Sequence, residues 1–347
     1  MSVAKVIPLH ADEPQRGETP DWGSGYAPAD DGRGSATVTE LPAPGGAGWL
    51  TPKLAGQIAD GAAFLRRRVT GDYQIDEFGF DPHLNTGVLL PILRPLFDKW
   101  FRVEVSGVEN IPSDGAALVV CNHAGVVPLD GLMTSVAVHD HHPAQRDLRM
   151  LAADLAFQTP VVSTLARKAG HTLACHPDAE RLLRSGEVTA VFPEGFKGIG
   201  KPFSDRYKLQ RFGRGGFVTS ALRTGAPIVP CSIVGSEEIY PMIADFKPLA
   251  RILGFPYFPI TPLFPMLGPL GMVPLPSKWH IKFGEPIETA SYGAAAAEDP
   301  MVTFDLDRLS VICTEVAMQI VCCTGHLLYD TCVHQDRLAS REREIMS

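Results

Sequence analysis

The side chains best suited to chemistry are His123 and Asp130, in the run Cys121-Asn122-His123-Ala124-Gly125-Val126-Val127-Pro128-Leu129-Asp130. A histidine whose tautomer is set by a carboxylate can take a proton from an alcohol near neutral pH. On one continuous helix, this spacing would leave the pair about 10 Å apart along the axis, too far for a hydrogen bond. Pro128, with the extended bias it imposes on Val127, predicts instead a loop over 124–128 and a helix from about Asp130. Such a loop returns the Asp130 carboxylate to the His123 Nδ1, and a capping role for Asp130 is compatible with that. Further on, Phe192-Pro193-Glu194-Gly195 offers a second carboxylate, able to bond a polyol hydroxyl, beside a glycine that permits close backbone approach. Lys197, Lys201, Arg206, Lys208, Arg211 and Arg214 then stand against the lone Asp205. They predict a local anion site, reinforced by a helix N-terminus near Gly215, although a solvated surface loop also fits.

Both carboxylate-bearing motifs need strands to aim them. The apolar run 116–120 follows the turn signal Pro112-Ser113-Asp114-Gly115 and reads as a buried strand ending at His123. Val188-Thr189-Ala190-Val191 reads likewise and ends at Glu194. Further strands are expected at 102–107, 148–152, 171–175, 227–234 and 278–283. Helices are expected at 130–138, 157–169, 177–185, 215–224 and 305–326. This alternation predicts an α/β fold, a largely parallel mixed sheet flanked by helices, with ligands at the carboxyl ends of its strands. The expected organisation is a disordered leader over 1–48 and an N-terminal helical cap over 49–104, with helices at 54–69 and 85–103. An α/β core over 105–290 and a C-terminal helical segment over 291–347 complete it.

Composition narrows the class. Of 347 residues 45% are apolar and 20% charged, and the net charge of −8 argues against general nucleic-acid binding. The cysteines show no metal-type spacing and fit free thiols in a reducing compartment. No window reads as a signal peptide or a membrane-spanning helix. The stretch 248–276 is greasy and proline-rich, with Arg251 as its only charge. It reads either as an irregular loop packed on the core, or as an apolar loop that rests in a bilayer surface or lines an acyl-chain channel. His139-Asp140-His141-His142 reads as a solvated loop rather than a metal site. There is no Gly-x-Ser-x-Gly elbow and no P-loop.

With His123 and Asp130 after one strand and Phe192-Pro193-Glu194-Gly195 after another, residues 80–290 resemble the glycerol-phosphate/lysophosphatidate acyltransferase family (PlsC-type). Six residues separate the histidine and aspartate here, where the family has four. The family's second motif falls on Gly170-His-Thr-Leu-Ala-Cys-His176 without its arginine, and its fourth resembles Ala226-Pro-Ile-Val-Pro230. The resemblance implies transfer of a fatty acyl group from acyl-CoA or acyl-ACP to a lysophosphatidate or glycerol-phosphate hydroxyl. In it His123 is the general base and Asp130 its orienting partner. Glu194, Gly195 and Lys197 bind the acceptor; Lys201, Arg206, Lys208, Arg211 and Arg214 bind anionic groups. It implies no metal, no bound cofactor and no nucleic acid, and a cytoplasmic protein held peripherally on the inner face of the cell membrane. A neutral acylglycerol or other lipid alcohol as acceptor, and a non-catalytic lipid-binding protein of the same fold, remain as rival readings.

Overall fold

Strands form where the apolar runs lie. The computed structural model describes residues 73–159, 162–213 and 215–324, with 63, 66, 67 and 69–71; side chains at 320 and 322–324 are excepted. The expected leader, most of the 54–69 helix, Arg214 and everything beyond 324 lie outside the described residues. In chain order the strands are β1 (Glu104–Ser106), β2 (Ala117–Cys121), β3 (Leu148–Ala152), β4 (Thr172–Leu173) and β5 (Val188–Val191). They are followed by β6 (Ile228–Val234), β7 (Ala244–Asp245), β8 (Pro259–Ile260) and β9 (His280–Phe283). A seven-stranded sheet runs β1-β9-β6-β2-β5-β3-β4, and β7 and β8 form a separate pair. Every neighbour in the large sheet is parallel except β6 and β9, which are antiparallel. The sheet is thus mixed and largely parallel, with β2 and β5 adjacent near its centre.

Both faces of β2 are buried, because its alternate side chains enter two cores. Ala117, Val119 and Cys121 pack with Leu90, Phe97 and Met133. Leu118 and Val120 pack with Leu183, Val218, Leu222 and Leu306. The first core lies under α1, a helical run Pro82–Leu84, Asn85–Leu89, Leu90–Pro95 and Leu96–Trp100, and α2 (Leu129–His141). Pro91 and Pro95 remove amide donors from α1, and the run widens to i→i+5 turns at 85–89 and 96–100. The expected 157–169 helix is two pieces, α3 (Asp154–Gln158) and α4 (Val162–Lys168). Thr159, forced out of the helical region by Pro160, is extended at φ −87°, ψ 118° and separates them. The second core lies under α5 (His176–Arg184), α7 (Gly216–Thr224) and α9 (Pro300–Thr324), while α6 (Phe196–Ile199) is a single turn after Glu194. Helix α9 starts at Pro300, earlier than expected, because proline fits a first helical position whose N–H needs no partner.

Candidate active site

His123 leaves β2 at the carboxyl edge of the sheet, and the loop behind it folds back within seven residues. Gly125 (φ 97°) and Val126 (φ 61°) are both left-handed, and tight contacts from Val127 N–H to Gly125 O and from Leu129 N–H to Val127 O close the return. A β-branched residue pays steric strain in that region, so Val126 must be held there. Its N–H donates to Ile199 O (3.1 Å), and the Tyr257 hydroxyl donates to its carbonyl. Burial raises the Tyr257 pKa, so the hydroxyl stays protonated as a donor. The loop delivers Asp130, in the first turn of α2 and fully buried, to the histidine. Asp130 Oδ2 lies 2.7 Å from His123 Nδ1 and also accepts from Ala124 N–H (2.9 Å); Oδ1 accepts from Gly131 N–H (2.8 Å). A carboxylate only accepts, so His123 carries its proton on Nδ1 and Nε2 is left with its lone pair.

The neighbouring strand supplies the brace. Glu194, 3% exposed, accepts from His123 N–H (2.8 Å) on one oxygen and from Gln210 N–H (2.6 Å) on the other. Its carboxylate therefore grips backbone on both sides rather than facing open solvent. Burial raises its pKa, against the pull of Lys201 and the two N–H donors. Gly195 (φ 54°) turns the chain into α6, and Gly198 then lies against His123, where a Cβ would come 2.5 Å from His123 O and 2.9 Å from its Cβ. The Phe192 ring lies 4.5 Å from the imidazole. Asn122, also buried, donates to Ile233 O (2.9 Å) and accepts Ile233 N–H (2.7 Å), tying β2 to β6 just below the histidine.

The expected basic loop does not open as one cluster. Lys201 is buried, 2.5 Å from Glu237, and donates to Lys208 O. Glu237 has its pKa raised by burial, opposed by Lys201. Arg206 lies over the Phe203 ring (4.7 Å), and Lys208 pairs with Asp205 (3.2 Å). Lys197 and Arg211 are exposed. Arg181 turns away to Glu77, and His176, at the start of α5, lies 3.0 Å from Ser220 Oγ. On that side of the sheet a pocket of about 180 Å³ is lined by Leu118, Leu151, Ala179, Val191 and Phe217, with Cys175, His176 and Ser220 also on its wall. His139, Asp140 and His142 diverge to Asp147, Arg94 and Ile111 O respectively. Two contributors went unread in the sequence. Gly198 had only its glycine identity as a signal, and Tyr257, remote in the chain, had none.

A family model described as Acyltransferase matches residues 102–234, which carry β1 to β6 and both motifs. The Mycobacterium tuberculosis protein Rv0502, described as uncharacterized, is 71% identical over 253 residues, 73% of this chain and 71% of that one. A human protein named DGAT1/2-independent enzyme synthesizing storage lipids is 29% identical over 176 residues, 48% of this chain and 51% of its own. Among solved structures, the 1-acyl-sn-glycerophosphate acyltransferase PlsC of Thermotoga maritima matches with a TM-score of 0.46 and 18% identity, over 80% of this chain and 99% of that one. Residues 102–234, which carry both strand-exit motifs, belong to the Acyltransferase family.

Proposed function

We propose that this protein transfers a fatty acyl group from acyl-CoA or acyl-ACP to the hydroxyl of a lysophosphatidate-type glycerolipid at a membrane surface, with His123 as general base. The observation that carries the reading is the 2.7 Å contact between His123 Nδ1 and buried Asp130, which leaves Nε2 the free ring nitrogen. His123 Nε2 takes the acceptor's hydroxyl proton as its oxygen attacks the thioester carbonyl carbon. The tetrahedral intermediate collapses with cleavage of the C–S bond, and the imidazolium returns its proton to the departing thiolate. Asp130 stabilises that imidazolium. Glu194 acts as a positioning residue through the His123 backbone, while Lys197, exposed beside Gly198, meets an acceptor phosphate. The largely apolar pocket by Val191 suits an acyl chain. No metal or resident cofactor enters this scheme.

A neutral acylglycerol as acceptor is the second reading, favoured by the Lys201–Glu237 pair, which removes one expected phosphate cation. Thiol release from palmitoyl-CoA and from an acyl-ACP, with glycerol 3-phosphate, lysophosphatidate or monoacylglycerol offered separately, tests both. Release that depends on lysophosphatidate, is abolished in His123→Ala and is weakened in Lys197→Ala supports the first. Release only with monoacylglycerol supports the second. Release without acceptor would mark a thioesterase, and none with any pair would leave a lipid-binding protein of this fold.

A further inference from the structure

Large apolar side chains that face solvent concentrate between Ile243 and Val273; Ile252, Met266 and Leu270 are 80%, 86% and 70% exposed. They are not loose. The β7–β8 pair joins Ala244 to Ile260, Phe258 packs on Phe264 at 5.4 Å, and the Tyr240 hydroxyl donates to Met272 O (2.6 Å). Gly271 sits so close to Leu263 O that a Cβ there would come within 2.6 Å. The helix α8 (Lys247–Leu253) has an inverted amphipathic pattern, with Ala250 buried while Ile252 and Leu253 face outward beside exposed Lys247 and Arg251. No carboxylate pairs with either cation among the described residues. The only acid from 240 to 276 is Asp245, which is turned to the Phe258 N–H (2.9 Å). Segment and site are continuous, since Tyr257 reaches the carbonyl of Val126 between His123 and Asp130.

We propose that the surface 243–273 docks this protein on an anionic lipid bilayer and seats the His123 loop at the membrane face. The choice of a bilayer rests on the lipid-acceptor reading, but two features of the surface support it directly. Apolar side chains flanked by unpaired cations match the acyl boundary and headgroups of an anionic leaflet. A two-fold contact between copies would instead set Lys247 and Arg251 against an identical surface whose single acid is already engaged.

Co-sedimentation of the full chain with sucrose-loaded phosphatidylcholine vesicles, with and without phosphatidylglycerol, tests the proposal without using activity. The wild type is expected to bind both and to prefer the anionic vesicles. Ile252→Glu and Leu270→Glu should each weaken partitioning on the order of tenfold at unchanged Tm, the loss from one exposed aliphatic anchor. Lys247→Gln with Arg251→Gln should remove the anionic preference alone. Wild-type partitioning in both glutamate variants overturns the proposal. Concentration-dependent dimerisation that those variants abolish, without vesicle binding by the wild type, overturns it in favour of a contact between copies. Turnover of a water-soluble short-chain acceptor, read alongside, keeps the two readings separate. Turnover without vesicle binding sinks the docking surface only, and binding without turnover supports it while sinking the acyl-transfer reading.

Discussion

Asp130→Asn perturbs the candidate site at its most constrained atom pair. The carboxylate accepts three N–H groups, from His123, Ala124 and Gly131, with no access to water. An amide has only one oxygen, so one side of the group must become a donor. If the oxygen stays toward Gly131, the NH2 faces His123, and the imidazole must accept at Nδ1 and carry its proton on Nε2. The base is then lost, and general-base catalysis is worth about 10²–10⁴ in rate. Ala124 N–H is also left unpaired in a buried site, at about 1–3 kcal/mol. If the oxygen turns toward His123, the tautomer survives and Gly131 N–H faces a donor at a similar cost. The imidazolium then loses its counter-charge, worth about 4 kcal/mol for charge centres about 4 Å apart at an effective dielectric near 20. That corresponds to about 10³ in rate. Both orientations therefore give a kcat at least about 10²-fold down with a measurable fall in Tm. The assay is continuous thiol release from acyl-CoA, with thermal unfolding on the same preparation. A variant that keeps more than about a third of wild-type kcat would refute the assignment of Asp130 as the partner of the base.

Three further outcomes are expected. Gly198→Ala drives a methyl group into His123 O and the His123 and Glu194 Cβ atoms, so activity should fall at least tenfold and stability by about 1–3 kcal/mol, read by turnover and denaturant titration. Tyr257→Phe keeps the ring and removes the donor to Val126 O, so kcat should fall about three- to tenfold with KM for the thioester unchanged; equal kcat would exclude a positioning role. His171, held neutral by burial and by Arg149, has its pKa lowered from 6.5 to about 4. The unfolded chain binds that proton first, so its contribution to stability is complete above pH 6.5 and is lost as pH falls toward about 4. Tm measured across that window should therefore fall less steeply in His171→Gln than in the wild type.

Much of the architecture was legible because it depends on neighbours in the chain. Runs such as 116–120 and 188–191 are apolar throughout and bounded by turn residues, which identifies strands buried on both faces wherever they end up in the sheet. Pro128 announced the loop that lets His123 and Asp130 meet, and the structure has them 2.7 Å apart. Proline also marks the points where helix expectations needed adjustment. Pro160 splits one helix, and Pro91 and Pro95 accompany the widened turns of another. There the local preference was readable, but not its effect on helix length.

The basic run after Lys197 shows where local reading stops. Its charge is a property of the sequence, whereas the direction each cation takes depends on which carboxylates the fold brings near. Glu237, from the far end of β6, takes Lys201 into the interior. Glu194 was visible as a carboxylate at a strand exit, yet its two oxygens hold the backbone of His123 and Gln210, a pairing set by the adjacency of β2 and β5. Tyr257 depends on the same kind of closure across 131 residues, from a proline-rich segment to the Val126 carbonyl. Local sequence marked the strands of the large sheet, most of the helices around it and the side chains suited to chemistry, because propensity, turn signals and residue type act within a few positions. It did not mark β7, β8 or α8, whose short elements lie in and beside the proline-rich stretch read as a loop. Tertiary structure alone decided which of those side chains meet, which are neutralised and which remain exposed, because burial and charge pairing act through space between residues far apart along the chain.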